Sequence, residues 1–361
     1  MQRTTIAQLD LNEHLPRANG AGLSARIDLR RRALETKLSQ YGTAPAPGDR
    51  LLPLCGTLIT ERSVHSSNPR VALHADQTVE FRLPPLTDQE SDADTRWHLR
   101  TGAAAPHRVT VGIVDTGIND HHPELAAARR DGNLYINDSP DDSRLTEHGT
   151  RIASLACGMT LGLAPELRLY FEGIAEPAPQ ADRGMIRLSR LLIALERLAQ
   201  QGCVIINMSL ALGPLAVANA AINRLTAELG VLLVCSWAGN RNEPAASAAV
   251  LRVLSGDGPG RSYPATSAER CPQAPTTRLP RSVHAPGFGH LVATGHQGIR
   301  QDSGVSYATL AVSLCAARLL ATEPLLARQP ARLRRAVIER ACFRAVHRSY
   351  LDAFLAPVVS P

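Results

Sequence analysis

From Arg108 onward, short continuous apolar runs alternate with stretches of helical periodicity, and no other feature constrains the fold as strongly. Residues 109–114, 167–171, 204–208 and 231–235 read as strands. Residues 150–157, 185–201, 214–229 and 305–320 read as helices. Strands that are apolar on both faces must be covered on both faces. The intervening helices supply that cover, so the pattern predicts an α/β fold: a doubly wound, mostly parallel sheet with helices on both faces. Functional groups in such sheets collect beyond the carboxyl ends of the strands.

The first hundred residues differ. Residues 24–40 have apolar positions at helical spacing, with Gly42 as a stop signal. A Pro/Gly stretch follows at 44–50, then strand-like pieces at 71–74 and 78–83, then a polar, acidic stretch at 84–95 that reads as a linker. The chain is therefore divided into a small α+β N-terminal region, 1–105, and a larger domain, 106–361. With 361 residues, 44% of them hydrophobic, both parts have enough apolar material for a core.

Composition narrows the function classes. The net charge is +6, but the arginines are spread along the chain and aromatics make up only 4%, so no nucleic-acid footprint is expected. Residues 1–20 lack an apolar leader core, and no run of eighteen apolar residues is present, so no membrane association is expected. Seven scattered cysteines, an odd number lying mostly in apolar runs, read as reduced and buried. These features together predict a cytoplasmic protein. With no CxxC and no HExxH, no metal or other cofactor is expected; the pair His121–His122 and the acidic residues 138–142 read as loop features.

Five segments carry candidate chemistry. Asp115 ends the first strand and is followed by Thr116–Gly117; a turn-capping aspartate would look the same. His148 precedes Gly149–Thr150 at what the pattern predicts to be a helix start, where the helix dipole would keep the imidazole neutral. Asn207, Met208, Ser209 and Leu210 end a third strand. Asn240 follows Ala238–Gly239 past a fourth, where it is either a turn former or an oxyanion donor. Ser306, preceded by Gly304–Val305, opens a small-residue helix, as a helix cap or a nucleophile would.

Each segment alone is ambiguous, but their order is not. An Asp, a His and a Ser in that chain order, 33 and then 158 residues apart, form one of the known orders of a catalytic triad. With Asp115-Thr116-Gly117, His148-Gly149-Thr150, Asn207-Met208-Ser209-Leu210, Ala238-Gly239-Asn240 and Gly304-Val305-Ser306, residues 108–320 resemble the subtilases, the subtilisin-like serine proteases. The resemblance implies a serine endopeptidase acting on a peptide or protein substrate. Ser306 would be its nucleophile, His148 its general base, Asp115 the residue orienting the base, and Asn240 an oxyanion-hole donor. It also places the extended substrate along Ser209, Leu210 and Ala211, and along Trp237, Ala238 and Gly239, with a second edge near residues 172–174.

The match departs in places. Val305 and Leu310 replace a Thr and a Pro of the family pattern, and the stretch 267–284 replaces one family strand, which is expected to be absent or remade. Two other functions share the same residues. One is a subtilase-fold ligase or macrocyclase, in which an amine resolves the acyl-enzyme. The other is a catalytically dead peptide-binding module. Residues 1–105 resemble nothing identifiable and would be either a removable prodomain or a permanent domain through which a regulatory partner acts.

Overall fold

The computed structural model describes residues 4–10, 13, 15–16, 22–82, 109–180, 182–210, 216–237, 250–255, 282–285, 287, 289–295 and 297–343. The expected linker at 84–95 lies outside them, as do Ala211, Ala238, Gly239 and Asn240.

The N-terminal region is built from β1 (Thr5–Leu9), α1 (Leu23–Gln40), β2 (Arg50–Leu52), β3 (Thr57–Thr60) and β4 (Val71–Ala75). The strands form an antiparallel sheet in the order β2-β3-β1-β4. Alternation along β1 sends Ala7 and Leu9 to one side, where Leu34 and Leu38 of α1 cover them. Ile6 points to the other side, into a core shared with the rest of the chain. β5 (Thr78–Arg82) leaves this sheet altogether.

The larger part continues with β6 (Thr110–Asp115), α2 (Pro123–Arg130), β7 (Leu134–Asp138), α3 (Ser143–Cys157), β8 (Arg168–Gly173), β9 (Ala175–Pro177), β10 (Arg183–Arg187) and α4 (Leu188–Gln200). Then come β11 (Ile205–Met208), α5 (Ala216–Leu229), β12 (Leu232–Ser236), β13 (Val250–Ser255), β14 (Ser282–Ala285), β15 (His290–Thr294), β16 (Gly298–Asp302), α6 (Val305–Thr322) and α7 (Pro330–Phe343). Seven strands form a sheet in the order β14-β13-β12-β11-β6-β8-β7, with every pairing parallel.

Both faces are covered, as the apolar runs require. Val111 and Ile113 of β6, with Leu232 and Val234 of β12, face the core under α2, α3, α6 and α7. Val114, Leu233 and Cys235 face the core under α4 and α5. From β6 the chain winds outward to β7, and from β11 it winds outward the other way. The winding direction therefore switches between β6 and β11, where a crevice opens at the strands' carboxyl ends.

Two sequence expectations are corrected here, and a third, left open between two outcomes, is decided. Residues 185–187, expected to begin a helix, belong to β10 and pair with β5 and β9. Their periodicity suits a helix, but strand partners decide the local conformation. The helix expected at 150 starts at Ser143, because the Asp142 side chain accepts a hydrogen bond from the Arg144 N–H and caps it. The replaced family strand is remade, since β14 pairs in parallel with β13 at the sheet edge. In addition, α6 is long and apolar enough to cross a membrane, which the apolar-run criterion missed, but it packs inside the protein as a core helix. Cys55, Cys157, Cys203, Cys235 and Cys315 are free and buried, and burial pushes the Cys157 and Cys315 thiols up to about 12. Thiols so protonated are inert as nucleophiles.

Candidate active site

Asp115 is the last residue of β6 and is fully buried. Its Oδ1 accepts from the Thr116 N–H at 2.7 Å and from the Thr116 hydroxyl at 3.2 Å. The following Gly117 lets α3 approach, and Gly149 completes the fit: a Cβ there would stand 2.0 Å from the Gly117 carbonyl oxygen. Any side chain at 149 would push His148 away from β6.

His148 is the sixth residue of α3, not its first. The expected hold of the helix dipole on a neutral imidazole is therefore absent, since that effect fades within the first turn. The ring's charge state is set by its neighbours instead. His148 Nδ1 lies 2.7 Å from Asp115 Oδ1, and Nε2 lies 3.1 Å from Ser306 Oγ. A carboxylate oxygen only accepts, so Nδ1–H donates to it and Nε2 is left to accept. Burial pushes the imidazole pKa down, but the Asp115 charge and hydrogen bond outweigh it, and the net shift is upward from the ordinary 6.5.

Ser306 is the second residue of α6, after the extended Gly304 cap. Its hydroxyl has two acceptors, His148 Nε2 and the Ser209 carbonyl oxygen, each at 3.1 Å. Ser209 lies just past β11, on the other side of the crevice from Asp115. Its own hydroxyl donates to the Ser306 carbonyl at 3.0 Å and accepts from Asn207 Nδ2 at 2.9 Å. Asn207 Oδ1 accepts in turn from the Ser313 hydroxyl at 3.0 Å. This line of hydrogen bonds fastens α6 to β11 beneath the nucleophile. The role of Ser313 was not legible in the sequence, because it depends on which strand α6 crosses.

The structure thus brings Asp115, His148, Ser306 and Ser209 together. Leu210 and the half-buried Trp237 pack against the core under α4 and α5, and the Arg252 guanidinium lies 5.6 Å from the centre of the Trp237 ring. Asn240, Ala238, Gly239 and Ala211 fall outside the described residues. Of the expected second edge, Glu172 accepts from Asn137 Nδ2 at 2.8 Å and pairs with Arg197 at 3.3 Å, and Ile174 is buried. That stretch is thus engaged internally. His122 caps α2 by accepting from the Glu124 N–H at 3.2 Å, and no cluster fit to hold a metal ion occurs among the described residues.

The model of the subtilase family matches residues 107–352. The chain belongs to the subtilase family. Subtilisin-like protease 11 of Trichophyton verrucosum is 29% identical over 233 residues, covering 60% of this chain and 53% of that protein. Subtilisin-like protease PopC of Myxococcus xanthus is 30% identical over 109 residues, covering 26% and 23%. The chain therefore spans about half the length, or less, of these curated relatives. Among solved structures, a serine-to-alanine mutant of the protease domain of PatA superposes with a TM-score of 0.56 at 25% identity, covering 70% of this chain and 96% of that one. The self-cleaved protease domain of PatA gives 0.54 at 26%, covering 70% and 97%.

The upward shift of His148 makes a pH prediction for this subtilase. A general base must be unprotonated, so any reaction at Ser306 should rise with pH through a midpoint above 6.5. The linked effect on stability has the opposite sense. The protonated imidazole's stabilisation is fully present below the unfolded value and is lost as pH rises through the higher folded one. Rates of serine modification measured across pH 5–9 test the first statement; a midpoint below 6.5 would contradict it.

Proposed function

We propose that this chain is a serine endopeptidase that cleaves peptide bonds through an acyl-enzyme. The observation that carries this reading is the unbroken relay from Asp115 through His148 to Ser306. Ser306 Oγ attacks the scissile carbonyl carbon while His148 Nε2 takes its proton. Asp115 holds Nδ1 and stabilises the imidazolium, which then donates the proton to the leaving amine. The backbone N–H of Ser306, at the positive end of α6, and the side-chain amide of Asn240 would receive the oxyanion. The peptide would lie extended along Ser209, Leu210 and Ala211, opposite Trp237, Ala238 and Gly239, adding a strand to the fold.

A fluorophosphonate probe tests the reading on the purified full chain. Covalent labelling at Ser306, absent in Ser306→Ala, is the expected result. An unlabelled wild-type protein would instead support the dead peptide-binding module. Mass spectrometry of products formed with and without added amines separates hydrolysis from ligation, and hydrolysis is expected.

We further propose that residues 1–105 remain as a standing control domain of an intracellular enzyme. This is supported by the apolar core they share with α4 and α5, where Ile6, Leu52, Leu54 and Ile59 meet Leu191, Leu195, Ile222 and Leu225. Removing the region would expose that surface to water. Self-cleavage, the state in which the PatA protease domain has been seen, is the competing outcome. Intact masses of wild type and Ser306→Ala decide between them. Full length in both is expected; a wild type shortened by about a hundred residues beside a full-length mutant would overturn the proposal.

A further inference from the structure

A second set of buried groups connects the helix bearing His148 to the helix bearing Ser306. Arg151 stands on α3, three residues past His148, with its side chain 6% exposed. Its Nη2 and Nε donate to Glu147 Oε1 at 2.5 and 3.2 Å. Its Nη1 reaches across to Asp302 Oδ2 at 2.9 Å. Asp302 ends β16, and the same oxygen accepts from the Tyr307 hydroxyl at 2.7 Å. Tyr307 directly follows Ser306 and is itself buried. Glu147, directly before His148, is held by the Gly295 N–H at 2.9 Å and by the Thr294 hydroxyl. The line Glu147–Arg151–Asp302–Tyr307 therefore runs between the chain neighbours of the base and of the nucleophile.

We propose that Arg151, Asp302 and Tyr307 form a positioning clamp that fixes the reach between His148 Nε2 and Ser306 Oγ; the proposal rests on the peptidase reading above. None of the three touches the relay by a hydrogen bond, so none is a catalytic residue. Burying such a cluster is a poor route to stability, because desolvation offsets most of the attraction. It is a good route to orientation, because the guanidinium fork and the carboxylate accept few geometries. Orientation is what the relay needs, since a misplacement of 1 Å can cost about a hundredfold in rate.

The clamp is also charged, which gives it a signature that mere packing lacks. The charged groups acting on the imidazole are Asp115 on β6, Arg151 on α3 and Asp302 on β16, and Glu147, Arg300 and Tyr307 bond to the last two. Of these, Arg151 disfavours the imidazolium and Asp302 favours it, beneath the larger effects of burial and Asp115. Removing one or the other should move the base in opposite directions.

The experiment is the rate of fluorophosphonate labelling at Ser306 as a function of pH, on the full chain, with Ser306→Ala as the blank. Tyr307→Phe removes one hydroxyl and little volume, so it should fold; its labelling rate should fall roughly tenfold, well short of the misplacement limit. Arg151→Met should fall by about a hundredfold, and Arg151→Lys should recover part of the loss. The acid midpoint should rise in Arg151→Met and drop in Asp302→Asn. A folded Tyr307→Phe with a wild-type rate would overturn the clamp. So would slowed variants whose midpoints both stay at the wild-type value, which would mark the network as structural only. Failure of the wild type to label would sink the peptidase reading instead, so the two failures are distinguishable.

Discussion

Ser306→Ala is expected to lower kcat for peptide hydrolysis by about 10⁶-fold, a magnitude borrowed from subtilisin itself, a member of the same family. The reason is that the relay acts as a unit. Without Oγ there is no nucleophile to receive the substrate acyl group, and His148 has no proton to take. His148→Ala should cost a similar factor, because Ser306 Oγ would keep only the Ser209 carbonyl as acceptor, and a carbonyl oxygen is too weak a base to remove the proton. Asp115→Ala should cost less, since the imidazole still reaches Ser306 but loses its orientation and its counter-charge. Initial rates on a casein-type protein substrate, at the pH plateau, test the series. Comparable rates in wild type and Ser306→Ala would place the chemistry elsewhere.

The second large effect concerns the seam between the N-terminal region and α4 and α5. Arg224 of α5 is buried, and its guanidinium donates to the carbonyls of Leu9, Asp10 and Glu13 at 3.3, 2.9 and 3.2 Å. It also pairs with Glu228 at 2.9 Å, and Glu228 pairs with the fully buried Arg30 of α1 at 2.6 Å. Across the same seam, Glu196 of α4 accepts from the N–H groups of Leu54 and Cys55 at 3.0 and 2.8 Å. Arg224, Glu228 and Glu196 each find a partner in the N-terminal region. Arg224→Ala takes a donor from three carbonyls, of which Asp10 keeps the Glu13 N–H, and weakens the hold on Glu228; breaking a buried pair costs on the order of 3–5 kcal/mol. Gly56→Ala attacks the same spot from the other side. Its φ is +67°, and a Cβ would stand 2.6 Å from Arg224 Nε, so both the backbone and the guanidinium resist it.

Thermal unfolding checks this. Because the two regions share one apolar core, a single transition is expected, with Tm several degrees lower in either variant. An unchanged Tm for Arg224→Ala, or two well-separated transitions in the wild type, would show that the N-terminal region folds and docks independently.

The sequence by itself determined the sheet, and it singled out three residues that the fold brings within hydrogen-bond reach of one another. Strands such as residues 231–235 carry no polar alternation, so only a sheet covered on both sides can hold them. Asp115 ends such a strand and Ser306 stands near the start of such a helix. Short-range signals sufficed there because the information is local: a residue's place on its own strand or helix says which end it occupies. Tertiary structure decided the rest. It made residues 185–187 a strand, because β5 and β9 were there to pair with it, and it extended α3 back to Ser143, which took His148 away from the helix terminus. It also determined that His148 meets Asp115, which raises its pKa, instead of a helix N-terminus, which would lower it, and that Arg151 meets Asp302 and Tyr307. The pairs Arg30–Glu228 and Arg151–Asp302 join residues far apart in the chain. No periodicity records such a meeting, because the energy of a buried charge depends on which partner the fold brings within about 3 Å, and only the folded chain makes that choice.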